Sequence, residues 1–431
     1  MKVCVVGGGG REHALAHVLG RSCDVVVTPG NPGIAGSTPA PPNEIEADLY
    51  VIGPEAPLVH GLADELRASG CPVFGPGADG ARLEGSKAWM KELLVAAGVP
   101  TAGHGSFTEP GEAIRFLDGM GDLFVIKTDG LAAGKGVLVT EDRGEAVDAV
   151  RSYLSGQAFG DAGRRVVIEE GLTGPELSVL AVCDGRHAVP LAPAQDFKRI
   201  GEGDTGPNTG GMGAYSPVPV AGDEVVAEVM DRAVLPTLAE LRRRGIDYRG
   251  VLYAGLMLTP QGMKVLEYNV RFGDPEAQVV LPRLRSDLAD LLAGAAAGVL
   301  GEPPVYGDDA AVTVVCAAEG YPASPRTGDI ITGIDAAGAE EGVTVFCAGV
   351  SSMPGGGVTG GAPSGAGQSM LSQSMLTAGG RVLTVTGQGP DLVTARNRAY
   401  AGIAHIRWPG RYVRFDIAAA AVDSLASGGV G

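Results

Sequence analysis

A glycine loop that carries lysines has the residue types needed to hold a nucleoside triphosphate. Residues 127–137 read KTDGLAAGKGV, so that Lys127 and Lys135 bracket Gly130, Gly134 and Gly136. A P-loop is excluded, because the G-x-x-x-G-K spacing is one residue short, Gly136 replaces the Ser/Thr that would hold Mg²⁺, and a strand follows instead of a helix. Lysine is rarely buried without a partner, so Lys127 at the end of the apolar run LFVI favours a ligand over a purely structural role, which is the alternative. The pattern predicts a hairpin whose tip closes over phosphates.

A second segment, residues 264–276, reads KVLEYNVRFGDPE and alternates polar and apolar side chains. Residues two apart share one face of a strand, so Glu267, Asn269 and Arg271 are expected to project together. Mg²⁺ takes one or two such oxygen ligands from protein and the rest from phosphates, and arginine suits a phosphoryl oxygen. The segment predicts a metal–phosphate site, with a solvated polar strand face as the alternative. The apolar residues are expected to serve the core: Val265, Tyr268 and Phe272.

The turn GGGGREHAL, residues 7–15, follows an apolar run and could direct backbone N–H groups at an anion. A dinucleotide site is disfavoured, because Glu12 stands at the third glycine position and the second strand ends in Val27-Thr28 without an acidic residue. A phosphate here would need a further donor such as Arg11, since a helix dipole contributes only about 0.3–1 kcal/mol. A tight turn without a ligand is the alternative.

Two neighbouring segments are polar, QDFKR (195–199) and DTGPNTGGMGAYSP (204–217), and the second is rich in glycine. Such a loop is either disordered or ordered by a ligand. The spacing alone does not choose between the two.

The elements that position these residues begin with alternating strands and a helix, which predict a parallel α/β sheet. The expected strands are Val3–Val6, Val25–Val27 and Leu49–Ile52, with a helix over Arg11–Leu19. The proline-rich connection 29–48 is expected to hold no helix. Helical patterning returns at Leu58–Ser69 and Ser86–Ala97.

Farther along, the pattern predicts a small α+β unit and then a second sheet. The unit comprises strands Phe124–Lys127 and Val137–Thr140, helix Arg143–Leu154 and strand Arg165–Glu169. An amphipathic helix is expected over Val225–Arg244. A hairpin is expected from Tyr253–Thr259 and Met263–Asn269, a helix over Asp287–Ala297, and short strands after Ala310.

Composition restricts the class of protein. The 431 residues suggest about three domains, and a hydrophobic content of 45% allows several cores. A net charge of −17 disfavours nucleic acid and anionic membranes as partners. The six cysteines form no C-x-x-C pair, and neither a signal peptide nor a membrane span is evident, so we expect a cytoplasmic enzyme with reduced thiols. The low-complexity segment 351–380 is expected to be a mobile loop without chemistry.

Ordered blocks of the chain resemble the glycinamide ribonucleotide synthetases, also called phosphoribosylamine–glycine ligases, a family of the ATP-grasp superfamily. Besides the segments above, the blocks are GPEAPLV (53–59), LEGSK (83–87), AFGDAG (158–163), VVIEE (166–170), LYAGLM (252–257), YPASPRTGD (321–329) and GGRVL (379–383). The resemblance therefore covers nearly the whole chain. Gly8 departs from it, because the family commonly has Asn there.

The resemblance implies an α/β and α+β multidomain fold in three parts. These are a Rossmann-like substrate domain (1–90), an ATP-grasp domain (91–305) with an α+β lid at about 106–175, and a small β-rich C-terminal domain (306–431) that contains the 351–380 loop. It implies a ligase that joins glycine to 5-phosphoribosylamine with ATP and Mg²⁺ or Mn²⁺, through glycyl phosphate, in purine synthesis. We expect a monomer, with a dimer as the alternative.

The resemblance also implies roles for residues. Catalysis would rest on Arg271, Lys127 and Asp274, and the metal would bind Glu267 and Asn269. ATP would contact Lys87, Lys127, Gly130, Gly134, Lys135, Gly136, Glu169, Glu170, Leu172 and Glu176. The other substrates would contact Gly9, Gly10, Arg11, Asn31, Asn208, Thr209, Gly210, Gly211, Met212, Gly213, Arg271, Gly273, Asp274 and Pro275.

Two rival functions stay open on the sequence. One is another ATP-grasp ligase of purine synthesis, with formate or bicarbonate as its carboxylate, which the DTGPNTGGMGAYSP and RFGDPE blocks disfavour. The other is an ATP-binding module without turnover. A sensor would not need the charge-neutralising group Glu267, Asn269 and Arg271.

Overall fold

The computed structural model describes residues 1–132, 136–353 and 375–426. Gly134 and Lys135 of the glycine loop lie outside these ranges, as does most of the segment 351–380.

The N-terminal region is a four-stranded parallel sheet with strand order β2-β1-β3-β4. Its strands are β1 (Lys2–Gly7), β2 (Asp24–Pro29), β3 (Leu49–Ile52) and β4 (Val73–Phe74). Its helices are α1 (Gly10–Leu19), α2 (Glu55–Val59), α3 (Leu62–Ala68), α4 (Ala78–Gly85) and α5 (Lys87–Ala96). The connection from β2 to β3 holds only a 3₁₀ turn at Pro42–Glu44, which confirms the expectation that it contains no α-helix.

The helix expected over Leu58–Ser69 is interrupted, and that prediction was wrong in its continuity. Gly61 has φ +89°, a left-handed conformation that ends α2 and starts α3.

The predicted α+β unit is an antiparallel sheet with strand order β5-β8-β6-β7. Its elements are β5 (His104–Phe107), α6 (Pro110–Leu117), β6 (Phe124–Thr128), β7 (Val137–Thr140), α7 (Arg143–Leu154) and β8 (Val166–Glu170). Helix α7 begins at Arg143, as expected, because the Asp142 side chain accepts the N–H groups of Gly144 and Glu145. The unit has a small core of its own, built around Leu117, Ile126 and Val150.

The central sheet has strand order β10-β9-β15-β16 and contains the predicted hairpin. The elements that follow β8 are β9 (Glu176–Asp184), β10 (Ala188–Pro190), β11 (Gln195–Asp196), β12 (Arg199–Gly201), β13 (Thr205–Asn208), β14 (Gly213–Ser216), α8 (Asp223–Val229), α9 (Leu235–Arg243), β15 (Arg249–Thr259), β16 (Gly262–Asn269), α10 (Ala277–Val280) and α11 (Leu288–Ala297).

The single helix expected over Val225–Arg244 is two helices joined by a π-turn at Met230–Val234. Pro236 lies in the first turn of α9 and has no N–H to donate to the preceding turn. The regular α-helical ladder cannot run through this point.

The C-terminal region adds β17 (Ala310–Ala317), β18 (Ile330–Ile331), α12 (Ile334–Gly338), β19 (Val343–Cys347), β20 (Val350–Ser352), β21 (Met375–Thr377), β22 (Arg381–Gly389), α13 (Leu392–Ile403) and α14 (Ala419–Ala426). A five-stranded sheet with order β11-β14-β17-β22-β19 joins this region to the preceding one, since β14 pairs with β17 from Gly213 to Ser216. The end of the polar loop 204–217 is therefore held as a strand by the C-terminal region.

All six cysteines lie in the described ranges and carry free thiols, as expected. Within those ranges, every helix is too short or too polar to cross a bilayer.

Candidate active site

A cavity of about 1040 Å³ lies where the sheets meet. Four described regions contribute side chains to it: Arg11 from the N-terminal region, Lys127 from the α+β unit, Glu267 from the central sheet and Arg381 from the C-terminal region. The two segments predicted to carry the chemistry, residues 127–137 and 264–276, both contribute to this cavity.

The metal–phosphate segment lies on β16, and a bulge sets the direction of its side chains. Opposite β15, Gly255 pairs with Glu267 and Leu256 pairs with Val265, so Leu266 is an extra residue. The bulge lets Val265 face the core while Glu267 and Asn269 line the cavity, although Val265 and Glu267 are two residues apart. Burial of Val265, Tyr268 and Phe272, each at most 1% exposed, confirms their predicted place in the core.

Glu267 is surrounded by cations but contacts none of them. Burial opposes its charge, but Lys198, Lys127, Lys87 and Arg271 outweigh that effect and hold its pKa below the usual value. Among the described residues its carboxylate has no hydrogen-bond or ion-pair partner. An ionised carboxylate with free lone pairs beside an amide oxygen suits Mg²⁺, which needs few protein ligands when phosphates supply the others.

Asn269 supplies that amide oxygen, which lies 3.4 Å from the Arg271 guanidinium. Within the described residues no group of three or more His, Cys, Asp or Glu side chains could hold a metal by itself. The donor set therefore fits an ion that arrives with phosphate ligands.

Lys127 belongs to a buried chain of charges. Its Nζ lies 2.9 Å from Glu169 Oε1 and donates to the Leu266 carbonyl at 3.2 Å, while Lys91 Nζ donates to Glu169 Oε2 at 2.9 Å and to the Thr101 hydroxyl at 2.7 Å. Burial opposes the negative charge of Glu169, but Lys127 and Lys91 hold the pKa of this carboxylate below its usual value. One carboxylate thus serves two ammonium groups, and the surplus positive charge faces the cavity.

Lys87 and Lys198 supply two more cations. Lys87 Nζ donates to the Gly130 carbonyl at 3.2 Å, and burial lowers its pKa. Lys198 Nζ lies 2.6 Å from Glu176 Oε2. Burial opposes the charge of Lys198, but Asp196 and the neighbouring glutamates hold its pKa well above the usual value.

Arg271 is fixed by two carboxylates. Its Nη2 lies 2.8 Å from Glu84 Oε1 and its Nε lies 3.2 Å from Glu55 Oε2. Burial opposes its charge, yet these partners keep its pKa above the usual value. The guanidinium is a permanently charged group with a fixed orientation at the cavity wall.

The glycine turn before α1 closes on itself more than the sequence suggested. The Gly9 N–H donates to Glu12 Oε2 at 2.6 Å, and Glu12 Oε1 also pairs with Arg11 at 2.7 Å. A β-carbon at Gly8 would lie 2.5 Å from the Gly30 carbonyl oxygen, so this turn has no space for the family's Asn. Of the anion-binding groups expected here, Arg11 lines the cavity.

The loop at residues 208–213, called the substrate loop for the contacts that the resemblance implies, is tied to the C-terminal region through Arg381. That guanidinium donates to the carbonyls of Gly210 and Asp274, and it pairs with Asp274 Oδ2 at 3.0 Å. Burial opposes the charge of Asp274, but Arg381 and Arg11 hold its pKa below the usual value.

The expected site residues divide into those that line the cavity and those that do not. The lining set is Arg11, Lys87, Lys127, Gly136, Glu169, Glu170, Leu172, Glu176, Asn208, Thr209, Gly210, Glu267, Asn269, Arg271 and Asp274. Outside the lining are Gly9, Gly10, Asn31, Gly130, Gly211, Met212, Gly213, Gly273 and Pro275.

Two of the residues outside the lining have structural contacts. The Asn31 amide donates to the carbonyls of Gly8 and Cys347, which joins the N-terminal and C-terminal regions. Met212 is fully buried against Val315 and Ala317.

Several polar lining residues received no role from the sequence: Glu55, Glu84, Asp196, Lys198, Glu276 and Arg381. Each lies in one of the polar or resembling blocks named above, and that position was the available signal. Asp196 is the one of these residues whose pKa is raised to about 7. Burial is the main cause, Glu276 and Glu176 add repulsion, and Lys198 opposes the shift.

Comparison with known proteins bears on the whole chain. Three family models match in order: phosphoribosylglycinamide synthetase N domain over residues 1–84, its ATP-grasp (A) domain over 85–277 and its C domain over 311–420. The chain belongs to the phosphoribosylglycinamide synthetase family. The predicted resemblance and the multidomain ATP-grasp fold class are thereby confirmed.

Individual relatives of the family agree. A protein of Streptomyces coelicolor named phosphoribosylamine–glycine ligase is 48% identical, over 98% of this chain and 100% of that protein. A solved structure of phosphoribosylamine–glycine ligase from Thermotoga maritima has a TM-score of 0.79 at 34% identity, over 97% of this chain and all of that one. The solved N5-carboxyaminoimidazole ribonucleotide synthetase from Thermotoga maritima, with a TM-score of 0.60 at 15% identity, shares the fold alone.

Proposed function

We propose that this chain ligates glycine to 5-phosphoribosylamine with ATP, giving glycinamide ribonucleotide, ADP and phosphate, in purine synthesis. The observation that carries the proposal is the Glu267 carboxylate, which has no partner among the described residues although Lys87, Lys127, Lys198 and Arg271 surround it. It lies in a cavity lined from the N-terminal, central and C-terminal regions. The names of the full-length relatives support the same activity.

In the proposed reaction a glycine carboxylate oxygen attacks the γ-phosphorus, and ADP leaves. The resulting glycyl phosphate is attacked at its carbonyl carbon by the amine of 5-phosphoribosylamine, which loses a proton as phosphate departs. The protein mostly positions these groups and neutralises charge. Lys87 and Lys127 would hold ATP phosphates, with Glu170, Leu172 and Glu176 toward the nucleoside.

Arg271 and Asp274 would hold glycine by its carboxylate and ammonium groups, which have the opposite charges. Arg11 and the loop that contains Asn208 and Thr209 would hold the phosphoribosyl substrate. Mg²⁺ or Mn²⁺ would bind Glu267 and Asn269 and neutralise phosphate charge.

Three finer expectations stay with the proposal. The domain boundaries 1–90, 91–305 and 306–431 are proposed as working limits. A monomer, with a dimer as the alternative, is open to test by sedimentation. A cytoplasmic setting, without nucleic acid or membrane partners, is consistent with six free thiols and the net charge of −17.

The test is ADP release with 5-phosphoribosylamine as acceptor and glycine, formate or bicarbonate as donor. We expect release with glycine alone and formation of glycinamide ribonucleotide in equal amount. Release with formate or bicarbonate and its own ribonucleotide, but none with glycine, would favour the rival ligases. ATP binding without phosphate release under every condition would instead identify the non-catalytic module.

A further inference from the structure

A second cavity, of about 500 Å³, lies on the C-terminal region and shares no lining residue with the active-site cavity. We call it the arginine groove. Helix α13 contributes one side of it, and the chain returns past the end of α13 to form the other. The groove is defined by six side chains: Arg396, Tyr400, Ile403, Arg407, Arg411 and Phe415.

The three arginines of the groove have many unused donors. Each guanidinium has five N–H groups. Arg396 donates to two main-chain carbonyl oxygens, and Arg407 and Arg411 to one each, over 2.6–3.4 Å. Among the described residues, no carboxylate lies within ion-pair distance of any of the three. This concentration of positive charge stands out in a chain with a net charge of −17.

Two carboxylates close enough to act on Tyr400 have partners of their own. Glu202 accepts the Phe415 N–H at 3.0 Å, and Asp416 pairs with the buried Arg414 at 2.6 Å. Neither lines the groove. After burial, both carboxylates contribute to the raised pKa of Tyr400, but neither lies within ion-pair distance of the three arginines.

An exposed aromatic surface adjoins these arginines. Phe415 is 58% exposed and stacks on Tyr400, with ring centroids 5.8 Å apart and an interplanar angle of 21°. The Arg396 guanidinium lies 4.8 Å from the Tyr400 ring centroid. A flat ligand could extend this stack on the free face of Phe415.

Capping of α13 is the ordinary role for arginines in this place. Arg407 and Arg411 follow the end of the helix, where cations favour the carbonyl end of the dipole. Arg411 does cap the helix, since it donates to the Ile403 carbonyl, and the same nitrogen lies 3.9 Å from Cys316 Sγ. Arg407 donates to the Ile406 carbonyl beyond the helix end, and neither contact accounts for an exposed Phe415 beside them. The combination indicates a ligand that is both anionic and aromatic.

We propose that the arginine groove binds a nucleoside monophosphate. Its phosphate would lie on Arg407 and Arg411, because the guanidinium fork matches phosphate oxygens. Its base would stack on Phe415, as bases do on exposed aromatic side chains. The volume is within the usual range for a site of this kind.

The test is calorimetric titration of the full-length chain with AMP. We expect one binding event to disappear in Arg407→Ala/Arg411→Ala, with at least roughly a 100-fold loss of affinity. Phe415→Ala should weaken the same event roughly 10-fold. Any binding of AMP in the active-site cavity should persist in both variants and serves as an internal reference.

Arg398→Ala is the matched control, since Arg398 lies on α13 but bonds to the Gln388 carbonyl and Glu341. Unchanged ligase turnover of each variant would show that it folds. AMP binding that is identical in number and affinity with and without Arg407 and Arg411 would overturn the proposal. Inorganic phosphate that binds as tightly as AMP would overturn the assignment of a base to Phe415.

Discussion

Glu267 is half-buried and held ionised, and it has no hydrogen-bond or ion-pair partner among the described residues. Such a state is costly for a carboxylate unless a ligand completes it. Four surrounding cations keep it charged, and none of them touches it. The proposed role as metal ligand accounts for this arrangement, because a direct ion pair would occupy the oxygens that the metal needs.

Replacement Glu267→Gln should therefore lower Mg²⁺-dependent turnover roughly 100-fold or more, as loss of a key transition-state contact does. The thermal midpoint should stay near that of the unaltered chain, since no internal ion pair is broken. Turnover and calorimetric unfolding measure the two effects. Glu228→Gln, which alters an exposed pair with Arg232, is the control, and full activity in Glu267→Gln would remove the metal assignment.

Lys91 shows how a residue outside the cavity can support one inside it. It is fully buried, and burial lowers its pKa to about 8 despite the nearby Glu169. Between pH 8 and about 10.4 the unfolded chain keeps the proton that the folded chain has lost. The unfolded state then binds more protons, so this residue makes stability rise with pH in that window.

The corresponding prediction concerns Lys91→Met, which lacks the titrating group. The free energy of unfolding of the unaltered chain minus that of the variant should increase from pH 8 to pH 10. Denaturant titrations at several pH values measure it. Lys2→Met, at an exposed residue, is the control for replacing a lysine by methionine. A difference that does not change with pH for Lys91→Met would contradict the buried-lysine account.

At the scale of elements, the substrate loop depends on one backbone conformation. Gly211 has φ +110°, and a β-carbon there would lie 2.5 Å from Pro275 Cδ. Strain at such a position costs about 1–3 kcal/mol. The loop and the turn after β16 therefore fit together only with glycine at residue 211.

Gly211→Ala should lower the free energy of unfolding by about 1–3 kcal/mol and raise KM for 5-phosphoribosylamine. Chemical denaturation and steady-state kinetics check the two parts. Gly121→Ala is a suitable control, because Gly121 has open space around it and an ordinary φ. Equal stability of the two variants would show that the loop adapts without strain.

Sequence patterns were sufficient to predict those features of the elements that depend on neighbouring residues alone. Period-two alternation placed Glu267 and Asn269 on the cavity side, and the local pattern placed the start of α7 at Arg143. The interruption before Pro236 has a local signal in that proline, which the single predicted helix passed over. The bulge at Leu266 was not evident, because it depends on the register with which β16 pairs with β15. For the same reason the partnership of Lys91 with Glu169, 78 residues away, had no signal in the letters.

At the scale of the molecule, the site depends on contacts between regions far apart in sequence. Arg381 joins β22 to the substrate loop and to Asp274. Sequence resemblance placed Asp274 in the site, but it did not identify the arginine that fixes it. Such pairs follow from the assembly of regions, which no local pattern encodes.

Arg381→Ala should lower kcat/KM for 5-phosphoribosylamine roughly 10- to 100-fold, the usual cost of losing hydrogen bonds to a charged group. The Kd of an ATP analogue should not change, because Arg381 contacts neither Lys87 nor Lys127. Steady-state kinetics and equilibrium binding separate the two quantities. Arg326→Ala, which alters pairs with Glu319 and Asp329 on the same region, is the control. A parallel loss of nucleotide affinity would argue for general unfolding instead.

The strand β14 pairs on one side with β11 and on the other with β17 of the C-terminal region. A chain cut between α11 and β17 would leave the outer N–H and C=O groups of β14 without their partners. Such an open strand edge is a template for pairing with another molecule, so the shortened protein would tend to self-associate and precipitate. The C-terminal region therefore protects a strand edge of its neighbour as well as forming a wall of the cavity, and neither part is expected to stay soluble without the other.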